Sequence, residues 1–114
     1  MTQPLNLQRI DEWEMRKLFN DNGLWEKLTR GELTSVILES RPAPIDAGQD
    51  PGTLSQMLSY RDAGNNELAR VHQYLKPDGT IGGKGKPDPK RVFIDGVLYR
   101  LVKNPKANPS DSNT

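Results

Sequence analysis

A chain of 114 residues, 33% of them hydrophobic, with a mean hydropathy of −0.77, has room for one small domain around a modest core. The absence of cysteine excludes a disulfide framework, a thiolate metal site and a thiol nucleophile. Asp11, Glu12, Glu14 and Glu26 interrupt the apolar positions near the start, and no stretch approaches the roughly 20 apolar residues that cross a bilayer. A soluble, cytoplasmic protein without a secretory leader or membrane contact is therefore expected.

Residues 7–20 carry the best helical pattern. Leu7, Ile10, Met15, Leu18 and Phe19 fall within about half the circumference at about 100° per residue. Acidic residues crowd the first turns and Arg16 and Lys17 come later, the order that suits the helix dipole. Asn22-Gly23 supplies a stop, and residues 24–30 predict a second, two-turn helix closed by Gly31, with Trp25 and Leu28 inward. Trp13 and Trp25 are expected in the core or at helix contacts.

From residue 33 to 40, Thr34, Val36 and Leu38 alternate with Ser35, Ile37 and Glu39, which predicts a strand. Residues 41–52 hold three prolines and two glycines and predict a loop. Residues 54–75 admit two readings. One is a hairpin around Asp62-Ala63-Gly64-Asn65-Asn66, where Gly and Asn supply positive φ. The other is a helix capped by Asn65 or Asn66, with Leu68, Val71, His72 and Leu75 as its apolar stripe. In the strand reading Arg70, His72 and Tyr74 share one face; in the helix they do not. Residues 91–102 place two apolar runs around Asp95-Gly96, the signature of a two-residue type I′ hairpin.

Charge is segregated along the chain. Residues 1–69 hold seven Lys or Arg against eleven Asp or Glu, whereas residues 70–106 hold nine against three. Such asymmetry favours either an anionic partner for the second half or attraction between the halves. The basic excess peaks in residues 76–91, KPDGTIGGKGKPDPKR, read as a long cationic Gly/Pro-rich loop between strands. Its spacing Gly79, Gly83, Lys84, Gly85 is one residue short of a nucleoside-triphosphate loop and lacks the following Ser or Thr and the helix, which argues against nucleotide-triphosphate binding. A looser role remains: glycines let backbone amides approach an anion while Lys76, Lys84, Lys86, Lys90 and Arg91 surround it with charge. The bland alternative is a solvated connection whose lysines keep a sheet edge soluble.

His72 is the only histidine. On a strand it stands about 7 Å from both Arg70 and Tyr74. A base near neutral pH beside Arg and Tyr has the groups for metal-independent cleavage of RNA, the kind of site that small toxin-type ribonucleases use, though no motif matches residue by residue. One His beside a Tyr is more often a packing residue. With no cysteine and no ligand spacing among Asp46, Asp50 and Asp62, neither a metal site nor a cofactor is expected. Tyr60, Tyr74 and Tyr99 are the aromatics that a sheet could offer to bases.

The expected architecture is α+β: residues 1–103 as one domain with two N-terminal helices packed on an antiparallel sheet of four or five strands, and residues 104–114 as a disordered polar tail. The expected function is a non-catalytic accessory or regulatory module that contacts nucleic acid or another anionic surface, including an acidic protein, through the basic loop. The alternatives are a protein-interaction module with no nucleic-acid role and a ribonuclease centred on His72, Arg70 and Tyr74.

Overall fold

A computed structural model describes residues 6–83 and 85–102. The expected helix over residues 7–20 starts late: Asn6–Ile10 is a strand, β1, and the helix α1 runs over Glu12–Asp21. Asp11 separates them because its Oδ1 accepts the Glu14 amide at 2.8 Å and satisfies a helical donor that would otherwise lack a partner. Gly23, at φ 61°, then reverses the chain into α2 (Leu24–Thr29).

Five more strands follow: β2 (Thr34–Pro42), β3 (Leu54–Arg61), β4 (Glu67–Leu75), β5 (Asp88–Ile94) and β6 (Val97–Leu101). With β1 they form one six-stranded sheet in the order β1-β6-β5-β4-β3-β2. The sheet is mixed rather than wholly antiparallel, since β1 lies parallel to β6 while every other pair is antiparallel. It also has more strands than the expected four or five, because β1 falls in what reads as helix.

Of the two readings of residues 54–75, the hairpin forms. Asp62 Oδ1 accepts the amides of Gly64 and Asn66, and Asn65 takes the left-handed conformation. The Asp95-Gly96 hairpin forms with both residues at positive φ, 52° and 78°, as a type I′ turn requires. The long cationic loop is the expectation that fails. Lys76 and Thr80 close a tight turn, with the Lys76 amide donating to Thr80 O at 2.9 Å, and Leu75 bridges Ile81. Lys90 and Arg91 belong to β5, so the irregular part is short and partly pinned to the end of β4.

Both helices lie on one face of the sheet, with α1 over β5 and β6. The core fills the space between: Met15, Phe19 and Leu24 from the helices meet Leu58, Tyr60, Ala69, Val71 and Val92 from the central strands. Phe19 and Tyr60 stack tilted at a centroid separation of 6.0 Å. Trp25 packs against this cluster, but Trp13 is 69% exposed and is not the core residue that its helical setting predicts. No described element covers the opposite face. Lys84 and the tail expected over residues 104–114 lie outside the described residues.

Candidate nucleic-acid interface

Residues directly paired across a sheet share a face, and the face alternates along each strand. Ala69 and Val71 are fully buried on the helix side, so Arg70, His72 and Tyr74 of β4 project from the other. His72 and Tyr74 touch edge to face at 4.8 Å, and Ser55 Oγ of β3 lies 2.7 Å from His72 Nε2. Burial lowers the His72 pKa, the nearby Lys90 charge lowers it further, and Asp88 opposes both. The two leading influences both favour the neutral ring.

Beyond His72, β5 ceases to pair with β4, and Gly82 takes its place alongside Tyr74. The Gly82 amide donates to Tyr74 O at 2.8 Å. A Cβ at position 82 would stand 2.9 Å from Gln49 Oε1 and 3.3 Å from Tyr74 Cβ, so a larger residue there would have to move the Gln49 side chain. The break leaves a cleft of about 300 Å³ between β4, residues 82–89 and the second half of α1. Arg16, Asn20, His72, Tyr74, Lys86 and Asp88 are among its walls. Arg16 reaches Asp88 at 3.7 Å, and Lys86 reaches Glu26 of α2 at 3.8 Å. Both pairs are long and exposed, worth a few tenths of a kcal/mol each, up to about 1.

The described basic residues singled out from the sequence, Lys90 apart, each meet a carboxylate. Lys86 turns to α2, and Lys76 turns to Asp50 at 3.8 Å. Arg70 is clamped by Glu67 through both carboxylate oxygens, and Arg91 lies 3.8 Å from the same Glu67. Each of these partners belongs to the acidic first part of the chain. Attraction between the halves thus absorbs part of the charge asymmetry. Lys90 stays near His72, and the described residues place no carboxylate within salt-bridge distance of it.

Of the three tyrosines, Tyr60 is buried beneath α1, and burial raises its pKa. Tyr99 packs against the core on the helix side. Only Tyr74 is left for the helix-free face. Glu67 holds Arg70, so the arginine expected beside His72 is committed elsewhere. Among the described residues no three His, Cys, Asp or Glu side chains gather to hold a metal ion, and no helix is long and apolar enough to cross a membrane.

Sequence reading missed Arg16, Asn20 and Gln49 in the cleft, and on the helix-free face it missed Arg9 and Arg100. Arg9 pairs with Arg100, Arg100 with Arg91, and Arg91 with Arg70, so four arginines stand opposite one another on four adjacent strands. Burial lowers the Arg91 pKa and Arg70 adds to the effect; Glu67 opposes it, and Arg100 contributes a smaller lowering. The chain matches no protein-family model, no curated protein and no solved structure.

Proposed function

We propose that this protein is a small binding module for nucleic acid, which it contacts where residues 82–89 meet β4. The observation that carries the reading is the convergence of Arg16, His72, Tyr74 and Lys86 on one cleft of about 300 Å³, with the Lys90 charge beside it. A cleft at the lower end of the ligand-site range, whose walls include Arg16, Lys86 and the amide side chains of Asn20 and Gln49, with Asp88 paired to Arg16, suits one phosphate-bearing unit of a chain. A phosphate entering it displaces only long, exposed ion pairs, so little stability is lost on binding. His72, whose surroundings favour the neutral ring, offers a hydrogen bond rather than charge.

The test is fluorescence anisotropy of labelled RNA and DNA across a salt series, with the RNA checked for cleavage at the end. Wild type should bind at low salt and weaken as salt rises, and Lys86→Glu/Lys90→Glu should weaken binding at least tenfold at about 50 mM salt. Intact RNA is expected, because Glu67 holds Arg70, the arginine of the expected catalytic set, away from that role. Shortened RNA would instead favour the ribonuclease centred on His72, Arg70 and Tyr74.

One observation favours a second reading, a protein-interaction module. Every residue of the edge strand β2 is exposed, including Val36, Ile37 and Leu38. An open edge with apolar side chains is where another chain adds a strand. Binding of that kind survives moderate salt.

A further inference from the structure

Like charges directly opposite one another in a sheet destabilise it. The row Arg9, Arg100, Arg91, Arg70 breaks that rule on four neighbouring strands. At a strand spacing of about 4.8 Å the row spans about 14 Å from end to end. Glu67 partners Arg70 and Arg91 at one end of it. Among the described residues Arg9 and Arg100 have no carboxylate within salt-bridge distance.

The face that carries the row is the one the helices leave bare. One step along the strands lies an apolar row, Phe93 of β5 opposite Leu98 of β6, with Leu98 opposite Leu7 of β1. Phe93 is partly exposed and is not part of the core cluster. On the other side of the arginines stand His72 and Tyr74. The face thus has a cationic track with aromatic rings on both flanks.

We infer that this face binds a single-stranded nucleic acid, its phosphates running along Arg9, Arg100 and Arg91 and its bases stacking on Phe93 and on the His72–Tyr74 pair. Charge complementarity selects the polyanion, since among the described residues the Arg9–Arg100 end of the row meets no carboxylate and a single Glu67 serves the other end. Aromatic flanks select the unpaired strand, because a duplex keeps its base faces stacked and hidden while a single strand offers them. The inference rests on the nucleic-acid reading above and adds a second surface, next to the cleft along β4, together with the strand type.

Anisotropy with labelled single-stranded RNA, single-stranded DNA and the matching duplex tests it in one experiment. The single strands should bind more tightly than the duplex. If three phosphates are engaged, log affinity should fall with log salt at a slope of about −2, reduced to about −0.7 in Arg9→Gln/Arg100→Gln. That variant should lose at least tenfold in affinity at about 50 mM salt. Its melting temperature should hold or rise, which a merely structural role for the arginines would not allow. Phe93→Leu should lose about 5-fold or more for single strands and nothing for duplex. Arg9→Lys/Arg100→Lys, which keeps the charge, guards against misfolding and should bind nearly as wild type. Equal affinity for duplex and single strand, with unchanged binding in the Arg9/Arg100 and Phe93 variants, would overturn the inference while leaving the cleft reading in place. No binding of any nucleic acid at low salt would overturn both.

Discussion

His72 sits under two influences of the same sign, burial and the Lys90 charge, which outweigh Asp88 and lower its pKa. A histidine that is harder to protonate when folded costs nothing above pH 6.5 or so, where it is neutral in both states. As pH falls below that value the unfolded chain takes up the proton more readily, and stability is lost until the folded pKa is passed. Urea midpoints should therefore be lower at about pH 5 than at about pH 7.5, and His72→Gln should flatten that difference. An unchanged pH dependence in the variant would show that His72 is not the group responsible. Arg100 makes the opposite kind of case. Its removal as Arg100→Gln relieves repulsion across a directly opposed pair and should leave stability unchanged or raise it by a few tenths of a kcal/mol, up to about 1, read as a melting temperature.

At the scale of elements, α1 is held to the sheet chiefly through Met15 and Phe19, both almost wholly buried. Phe19→Ala removes the ring that packs against Tyr60 and should cost about 3–5 kcal/mol in chemical denaturation, enough to leave a domain of this size marginal. Asp11→Ala removes only a cap and should cost about 1 kcal/mol. The elements also differ in how plainly the sequence announces them. Asp95-Gly96 dictates its own geometry: a two-residue hairpin forces Ile94 opposite Val97 and, by counting outward, Arg91 opposite Arg100. That half of the arginine row was legible in the sequence, given the turn. Arg70 joins the row through the register of β4 against β5, which no tight turn sets, since residues 76–87 separate the two strands. Arg9 was hidden further, because Leu7 and Ile10 fit a helical stripe as well as an edge strand. The missed signal there was Asp11 three residues before Glu14, which marks a helix start inside the apparent helix. Lys76 and Thr80 form a turn because Asp78 accepts both the amide and the hydroxyl of Thr80. The Asp-Gly-Thr run carried that information, but the lysines and prolines around it read as loop.

Across the whole molecule, two helices cover one face of a six-stranded mixed sheet and leave the other face to arginine and aromatic side chains. The charge asymmetry between the two parts of the chain is spent in two ways. Some of it is internal, through Lys86 to Glu26, Lys76 to Asp50, and Arg70 and Arg91 to Glu67. Among the described residues of the basic part, Lys90 of β5 and Arg100 of β6 are left without a carboxylate, and Arg9 of β1 stands beside them on the next strand, so that charge gathers locally. No count of lysines in a segment could show that division, since it depends on which carboxylates the fold brings within reach. The salt dependence of binding to a labelled single-stranded RNA, for wild type beside Lys86→Glu/Lys90→Glu, decides whether the protein takes up a polyanion beside β4. Binding that weakens steeply between about 50 and about 200 mM salt, and is lost in the variant, is the expected result. Absence of binding at the lowest salt, or binding indifferent to both salt and the variant, would contradict it.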